Sequence, residues 1–211
     1  GTRPTALSVG INQSLVRYTD SYGEAQKLNI FSASVGLNRL LRWPDDYFSL
    51  YTGIQYQSYD FSNYPFQFGN TTEYNGSAKN FSFNVGLSRN SAGLDPIFPT
   101  QGSNLEASVK FTPPYSLFAD KDYTNMTAIE KYKWLEMHKW KFNLSWYTKI
   151  VENLVLNVRF KSGFMGYYNK DIGPSPFERF YLGGDGLSTW ALDGREVIGM
   201  RGYTDASLTP K

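Results

Sequence analysis

The sequence contains no cysteine and a single histidine, His138, in 211 residues. The first absence excludes disulfides and thiolate metal sites. The second excludes a histidine metal cluster and leaves a Ser-His relay one position to use. No apolar run approaches the roughly eighteen residues of a membrane-spanning helix, and mean hydropathy is −0.43. Neither sign of charge is in excess: 21 Lys and Arg face 19 Asp and Glu, a net of +2. That balance creates no field for recruiting nucleic acid, and no nucleic-acid partner is expected. The opening Gly1-Thr2-Arg3-Pro4 lacks a charged-then-apolar leader, so no signal peptide is expected there. Helical periodicity is scarce too, with one short turn expected near Ala128 to Leu135.

On hydropathy alone the chain looks soluble. Two positive features argue otherwise. Aromatic residues make up 17%, with 16 Tyr and 15 Phe, and apolar residues alternate with small polar ones. A period of two is the signature of a strand with one greasy face. Leu7, Val9 and Ile11 alternate with Ser8, Gly10 and Asn12. Phe31, Ala33, Val35 and Leu37 alternate with Ser32, Ser34, Gly36 and Asn38. Phe48, Leu50, Ile54 and Tyr56 mark a third strand, and Phe81, Phe83, Val85 and Leu87 a fourth. Leu105, Ala107, Val109 and Phe111 mark a fifth. Trp140, Phe142, Leu144, Trp146 and Ile150 mark a sixth. Leu154, Leu156, Val158, Phe160 and Phe164 mark a seventh.

The connections are expected to alternate in length. Residues 20–27, 60–78 and 115–137 read as loops, and 167 onward as a very long one. Between them lie Trp43-Pro44-Asp45-Asp46, the turn ending at Gly102, and Glu152-Asn153. Short turns on one side and long loops on the other are how a membrane β-barrel is built. Strands of nine to twelve residues suit a tilted bilayer crossing. The second face carries Lys110, Lys141, Lys149, Arg159 and Lys161, which a dry core could not hold unpaired. A soluble sheet with one solvated face is the alternative, but no helices are available to cover the greasy face. Seven is an odd count, and single-chain bacterial barrels use even ones. The expectation is an all-β chain forming about seven strands of a larger transmembrane antiparallel barrel. One partial barrel domain is expected over 1–211, with 167–211 as a long loop.

Two stretches go beyond alternation. Asp95-Pro96-Ile97-Phe98-Pro99-Thr100-Gln101-Gly102 joins two strands. Phe177-Glu178-Arg179-Phe180-Tyr181-Leu182-Gly183-Gly184 precedes Met200-Arg201-Gly202-Tyr203. Turn chemistry alone accounts for Asp and Pro in the first. Glu106 and Glu178 read as isolated carboxylates, each expected to salt-bridge a nearby Lys or Arg in a lumen rather than to form a catalytic pair.

The first stretch resembles the Pro-Thr-x-Gly turn of the BamA family of outer-membrane β-barrel insertases. The second resembles that family's sixth extracellular loop with its Val-Arg-Gly-Phe/Tyr signature. On this resemblance the strands are similar to the fifth to eleventh of a roughly sixteen-stranded barrel. Asp95, Pro96, Pro99, Thr100 and Gly102 form the periplasmic turn motif. Phe177, Glu178, Phe180, Gly183, Gly184, Met200, Arg201, Gly202 and Tyr203 form the loop motif. The family implies a loop folded into the lumen, with Arg201 paired to an acid on a later strand beyond Lys211. The chain departs from the pattern in its long 185–199 insert, where Arg195 could compete with Arg201. The resemblance implies an integral bacterial outer-membrane location. It also implies contact with lipid, including the lipopolysaccharide leaflet, client β-barrel proteins and accessory lipoproteins. No catalysis, cofactor or metal is expected. A polypeptide-secretion pore of the same superfamily and a simple porin are the alternatives.

Overall fold

The computed structural model describes residues 4–19, 23–68, 71–92, 97–119, 121–184, 196–200, 202–204 and 207–208. The chain first lays down β1 (Thr5–Thr19), β2 (Ala25–Leu40) and β3 (Phe48–Ser62). A small hairpin, β4 (Phe66–Phe68) and β5 (Thr71–Glu73), leads into β6 (Gly76–Asn90) and β7 (Gly102–Phe111). Two single-turn helices, α1 (Tyr115–Phe118) and α2 (Ala128–Lys131), precede β8 (His138–Val151) and β9 (Leu154–Gly166). All seven expected strands are there. They form one antiparallel sheet in the order β1-β2-β3-β6-β7-β8-β9, so each long strand pairs with the next long strand in the chain. That is the meander of an up-and-down barrel wall.

The alternation assigns the two faces. Leu7, Val9 and Ile11 of β1, Val35 and Leu37 of β2 and Trp140, Trp146 and Phe164 of β8 and β9 all share one face. They stand exposed, Ile11 by 76% and Trp146 by 53%. Apolar side chains this exposed and this continuous need a lipid neighbour. The opposite face carries Ser34, Gln55, Asn84, Lys110 and Lys141, which line a polar concavity of about 660 Å³.

The strands run longer than the sequence suggests, up to 16 residues in β2. At the long-loop end the greasy side chains change face. Leu28, Ile30, Tyr59, Phe61 and Ala78 are buried with Leu135 and Phe177 in one cluster on the lumen side. There the sheet has risen past the apolar layer. Its outer positions there are polar, Arg17, Lys27, Asn29 and Asp60 among them, and its inside is covered by folded loops. This inversion corrects two expected loops. Residues 25–27 belong to β2, and most of 60–78 is strand or hairpin rather than an open polar loop.

The other rim is pinned by Arg89. Its guanidinium holds Asp45 through Nε at 2.8 Å and Nη2 at 2.7 Å, and donates to Ser91 and Ser103 at 2.5 Å each. The Tyr47 and Phe48 rings lie 5.7 Å from it. One side chain thus ties the 41–47 turn to the turn before β7. Burial pushes the Asp45 carboxyl up, but the Arg89 hydrogen bond and charge and the Tyr47 amide outweigh it and hold it below its ordinary value.

Candidate functional site: the lumen anchor of the long loop

After β9 the chain turns back over the lumen face. Ser175 Oγ closes a small turn on the Phe177 backbone at 3.2 Å, and Tyr132 Oη donates to the Ile172 carbonyl at 2.8 Å. These bonds deliver Phe177 into the apolar cluster, fully buried. Its ring lies 4.7 Å from that of Tyr59. Burying one such side chain is worth about 1.5–3 kcal/mol.

Glu178 comes next and is the centre of the site. It is 5% exposed. Its Oε1 accepts from Asn80 Nδ2 of β6 at 3.0 Å and from Lys110 Nζ of β7 at 2.5 Å. Its backbone carbonyl accepts from Lys139 Nζ of β8 at 2.7 Å. Three adjacent strands therefore hold one residue of the loop. Lys110 and Lys139 stand opposite each other in the register. Two cations so placed repel unless an acid intervenes, and Glu178 is that acid. Its backbone sits at φ 59, a region costly for any residue other than glycine. Such strain persists only where the surroundings over-determine it, as these three wall contacts do.

From there the loop continues as a short strand. β10 (Phe180–Leu182) pairs in parallel with β11 (Glu196–Ile198), aligning Phe180 with Glu196. Phe180 lies on the wall where Gly163 leaves room. A Cβ at Gly163 would come within 2.7 Å of the ring. Lys139 Nζ sits 4.5 Å from the Phe180 centroid, within cation–π reach. Glu196 Oε2 binds Lys141 at 2.6 Å and Lys139 at 3.3 Å. Burial raises the Glu196 carboxyl, but the hydrogen bond from Lys141 and the charges of Lys139 and Lys141 prevail and hold it below its usual value.

The two halves of the loop motif, separated in sequence by residues 185–199, meet in space. The Met200 amide donates to the Gly184 carbonyl at 2.8 Å, and the Gly184 amide to the Tyr203 carbonyl at 2.9 Å. Gly183, Gly184 and Gly202 all have positive φ. A Cβ on Gly183 would lie 2.4 Å from the Thr204 carbonyl oxygen. The 185–199 insert thus leaves the motif's two halves joined. Arg201 and Arg195 lie outside the described residues, and so does the expected pairing of Arg201.

In the turn motif, Asp95 and Pro96 also lie outside the described residues. Pro99 and Thr100 lead into Gly102, the first residue of β7, at φ +97. A Cβ there would lie 1.9 Å from the Ser91 carbonyl oxygen. Glu106 accepts from Asn143 at 3.4 Å and forms no ion pair among the described residues, against the expected salt bridge. His138 sits on the lipid side, where its Nδ1 accepts from Trp140 Nε1 at 3.1 Å and its ring lies against Phe164 and Tyr168. Sequence reasoning missed Asn80, Lys139 and Glu196 as partners. Lys139 was within reach, since it shares the lumen-facing parity of Lys141.

A sheet with a greasy outer face, a polar inner face and a long loop seated on that inner face is part of a transmembrane β-barrel wall. The chain belongs to the Omp85 superfamily, whose domain matches residues 2–211. Its fold is similar to the crystal structure of BamA from Haemophilus ducreyi lacking POTRA domains 1–3. The TM-score is 0.62 at 19% identity over 98% of this chain. The chain spans 36% of that BamA chain. No curated protein sequence matches it. Family and fold together bear out the resemblance drawn from the turn and loop motifs, and they associate the chain with an outer membrane.

Proposed function

We infer that this chain is the wall and loop portion of an outer-membrane protein insertase, integral to a bacterial outer membrane. Its clients are other β-barrel proteins. It works beside accessory lipoproteins and against the lipopolysaccharide leaflet. The observation that carries this reading is the Glu178 anchor, which fixes a superfamily loop across three wall strands. A loop locked inside the lumen stiffens the wall, so that strain is free to concentrate at a seam elsewhere in the barrel. Client strands would then be templated by main-chain hydrogen bonds at the exposed edge of that seam. The work breaks no covalent bond and calls for no cofactor.

The test is a charge swap in the full-length parent. Glu178→Lys should impair assembly of other outer-membrane proteins, and Lys110→Glu in the same chain should restore much of it. Loss of one secreted polypeptide with general assembly intact would instead assign a secretion pore. A large steady conductance from the wild-type barrel, with assembly unaffected by the swap, would assign a porin.

A further inference from the structure

On the lipid face, two of the apolar runs are bounded by cations at both ends. In β6 the run Phe81, Phe83, Val85, Leu87 lies between Lys79 and Arg89. In β2 the run Phe31 to Leu37 lies between Lys27 and Arg39. Such spacing places the bounding charges at the two headgroup levels, since a tilted strand crosses the apolar layer in about ten residues. The two levels differ. At the short-turn rim Arg89 is neutralised by Asp45, and Arg39 forms no ion pair among the described residues. At the long-loop rim Arg17 of β1 stands directly opposite Lys27 of β2, both exposed. Neither forms an ion pair among the described residues. Two like charges directly opposite on neighbouring strands destabilise the pair unless an anion lies between them. Among the described residues of β1, β2, β3 and β6, the acid at this rim is Asp60 of β3, opposite Asn29 and Ser77, and it forms no ion pair with Lys27 or Lys79. Lys79 instead lies 5.8 Å from the Trp134 ring, which packs 5.2 Å from Tyr115. Aromatic rings beside a cation at the edge of an apolar band mark an interface where acyl chain gives way to headgroup.

We propose that the long-loop rim of the lipid face, built on Arg17, Lys27 and Lys79, binds phosphate headgroups of outer-leaflet lipids. The bilayer supplies the anion that the Arg17–Lys27 pair lacks among the described residues. Acyl chains lie along Phe31 and Phe81 below, and the phosphates sit between the cations. This site lies on the opposite face from the loop anchor and does not depend on the insertase reading.

The experiment uses the full-length parent in phosphatidylcholine bilayers containing a minor share of diphosphoryl lipid A, or the same lipid after phosphatase treatment. Lipid retained per barrel is counted by native mass spectrometry. The wild type should retain the phosphorylated form on the order of ten-fold more. Arg17→Gln with Lys27→Gln should remove most of that preference, lowering retention of the phosphorylated form by up to about ten-fold. Lys161→Gln, on the lumen face, should leave it unchanged. Equal retention of both lipids by the wild type overturns the proposal without any variant. Undiminished retention by the double variant also overturns it. Displacement of the lipid by inorganic phosphate at low concentration would show a free-anion site and overturn the lipid assignment.

Discussion

Glu178 concentrates burial, strain and charge in one side chain. Replacing it with Gln keeps its size and its acceptor for Asn80 but removes the counter-charge of Lys110, which is itself mostly buried. Stranding a buried charge costs about 3–5 kcal/mol. The Glu178→Gln barrel should therefore expose its 167–184 segment to limited proteolysis far faster than the wild type. Unchanged cleavage would mean that Phe177 alone seats the loop. Gly102 is a second residue with no substitute. Both its φ of +97 and the Ser91 carbonyl forbid a Cβ. Gly102→Val should cost at least about 1–3 kcal/mol from the backbone alone, read as a lower temperature for loss of the folded band on semi-native gels. A wild-type temperature would show that the turn can rearrange.

At the scale of elements, the short β10–β11 pair is held to the wall through Glu196 and its two lysines. The Glu196 carboxyl titrates below the usual glutamate value of 4.5. Its contribution is therefore fully present above that value and is lost as pH falls through the lowered one. Fluorescence quenching of a probe placed near β11 should show release of this strand only below about pH 4.5, and Glu196→Gln should abolish the transition. A transition centred near neutrality would point to another group. The 112–137 segment illustrates a different rule. β7 has ten residues against fifteen in β6, which leaves the upper edge of β6 open. Residues 133–135 fill it, with the Lys79 amide donating to Lys133 and the Leu135 amide to Lys79, both at 2.9 Å. An unpaired edge is thereby closed by the loop itself. Glu130 and Thr127 cap α2 reciprocally, a start signal of a known kind for so short a helix.

At the scale of the whole molecule, the family resemblance proposes Arg201 as a second fastening of the loop that Glu178 anchors. Arg201→Glu in the full-length parent should impair barrel folding and client assembly together. An acid-to-arginine change on a later strand should restore both. No effect would leave Glu178 as the principal anchor. The combined Glu178→Gln and Arg201→Glu variant should lose more than either alone, because two independent fastenings add.

Much of this was legible in the chain before folding. Within the apolar layer, period-two alternation set which side chains face lipid, because one environment lies on each side of the sheet. That was enough to read all seven strands, the Glu152-Asn153 turn and the charged lumen face. The alternation failed where the environments trade places. At the long-loop end, Leu28, Ile30, Tyr59 and Phe61 point inward because loops cover the lumen there while the outside has left the apolar layer. Nothing local to β2 or β3 announces that cover. The loop motif was visible as residues but not as a site. Only the fold brings Asn80, Lys110 and Lys139 from three strands to a glutamate 39 to 98 residues away. Sequence alternation is a nearest-neighbour property and survives in one dimension. A buried charge lock is a meeting of distant segments, and the tertiary structure alone decided it.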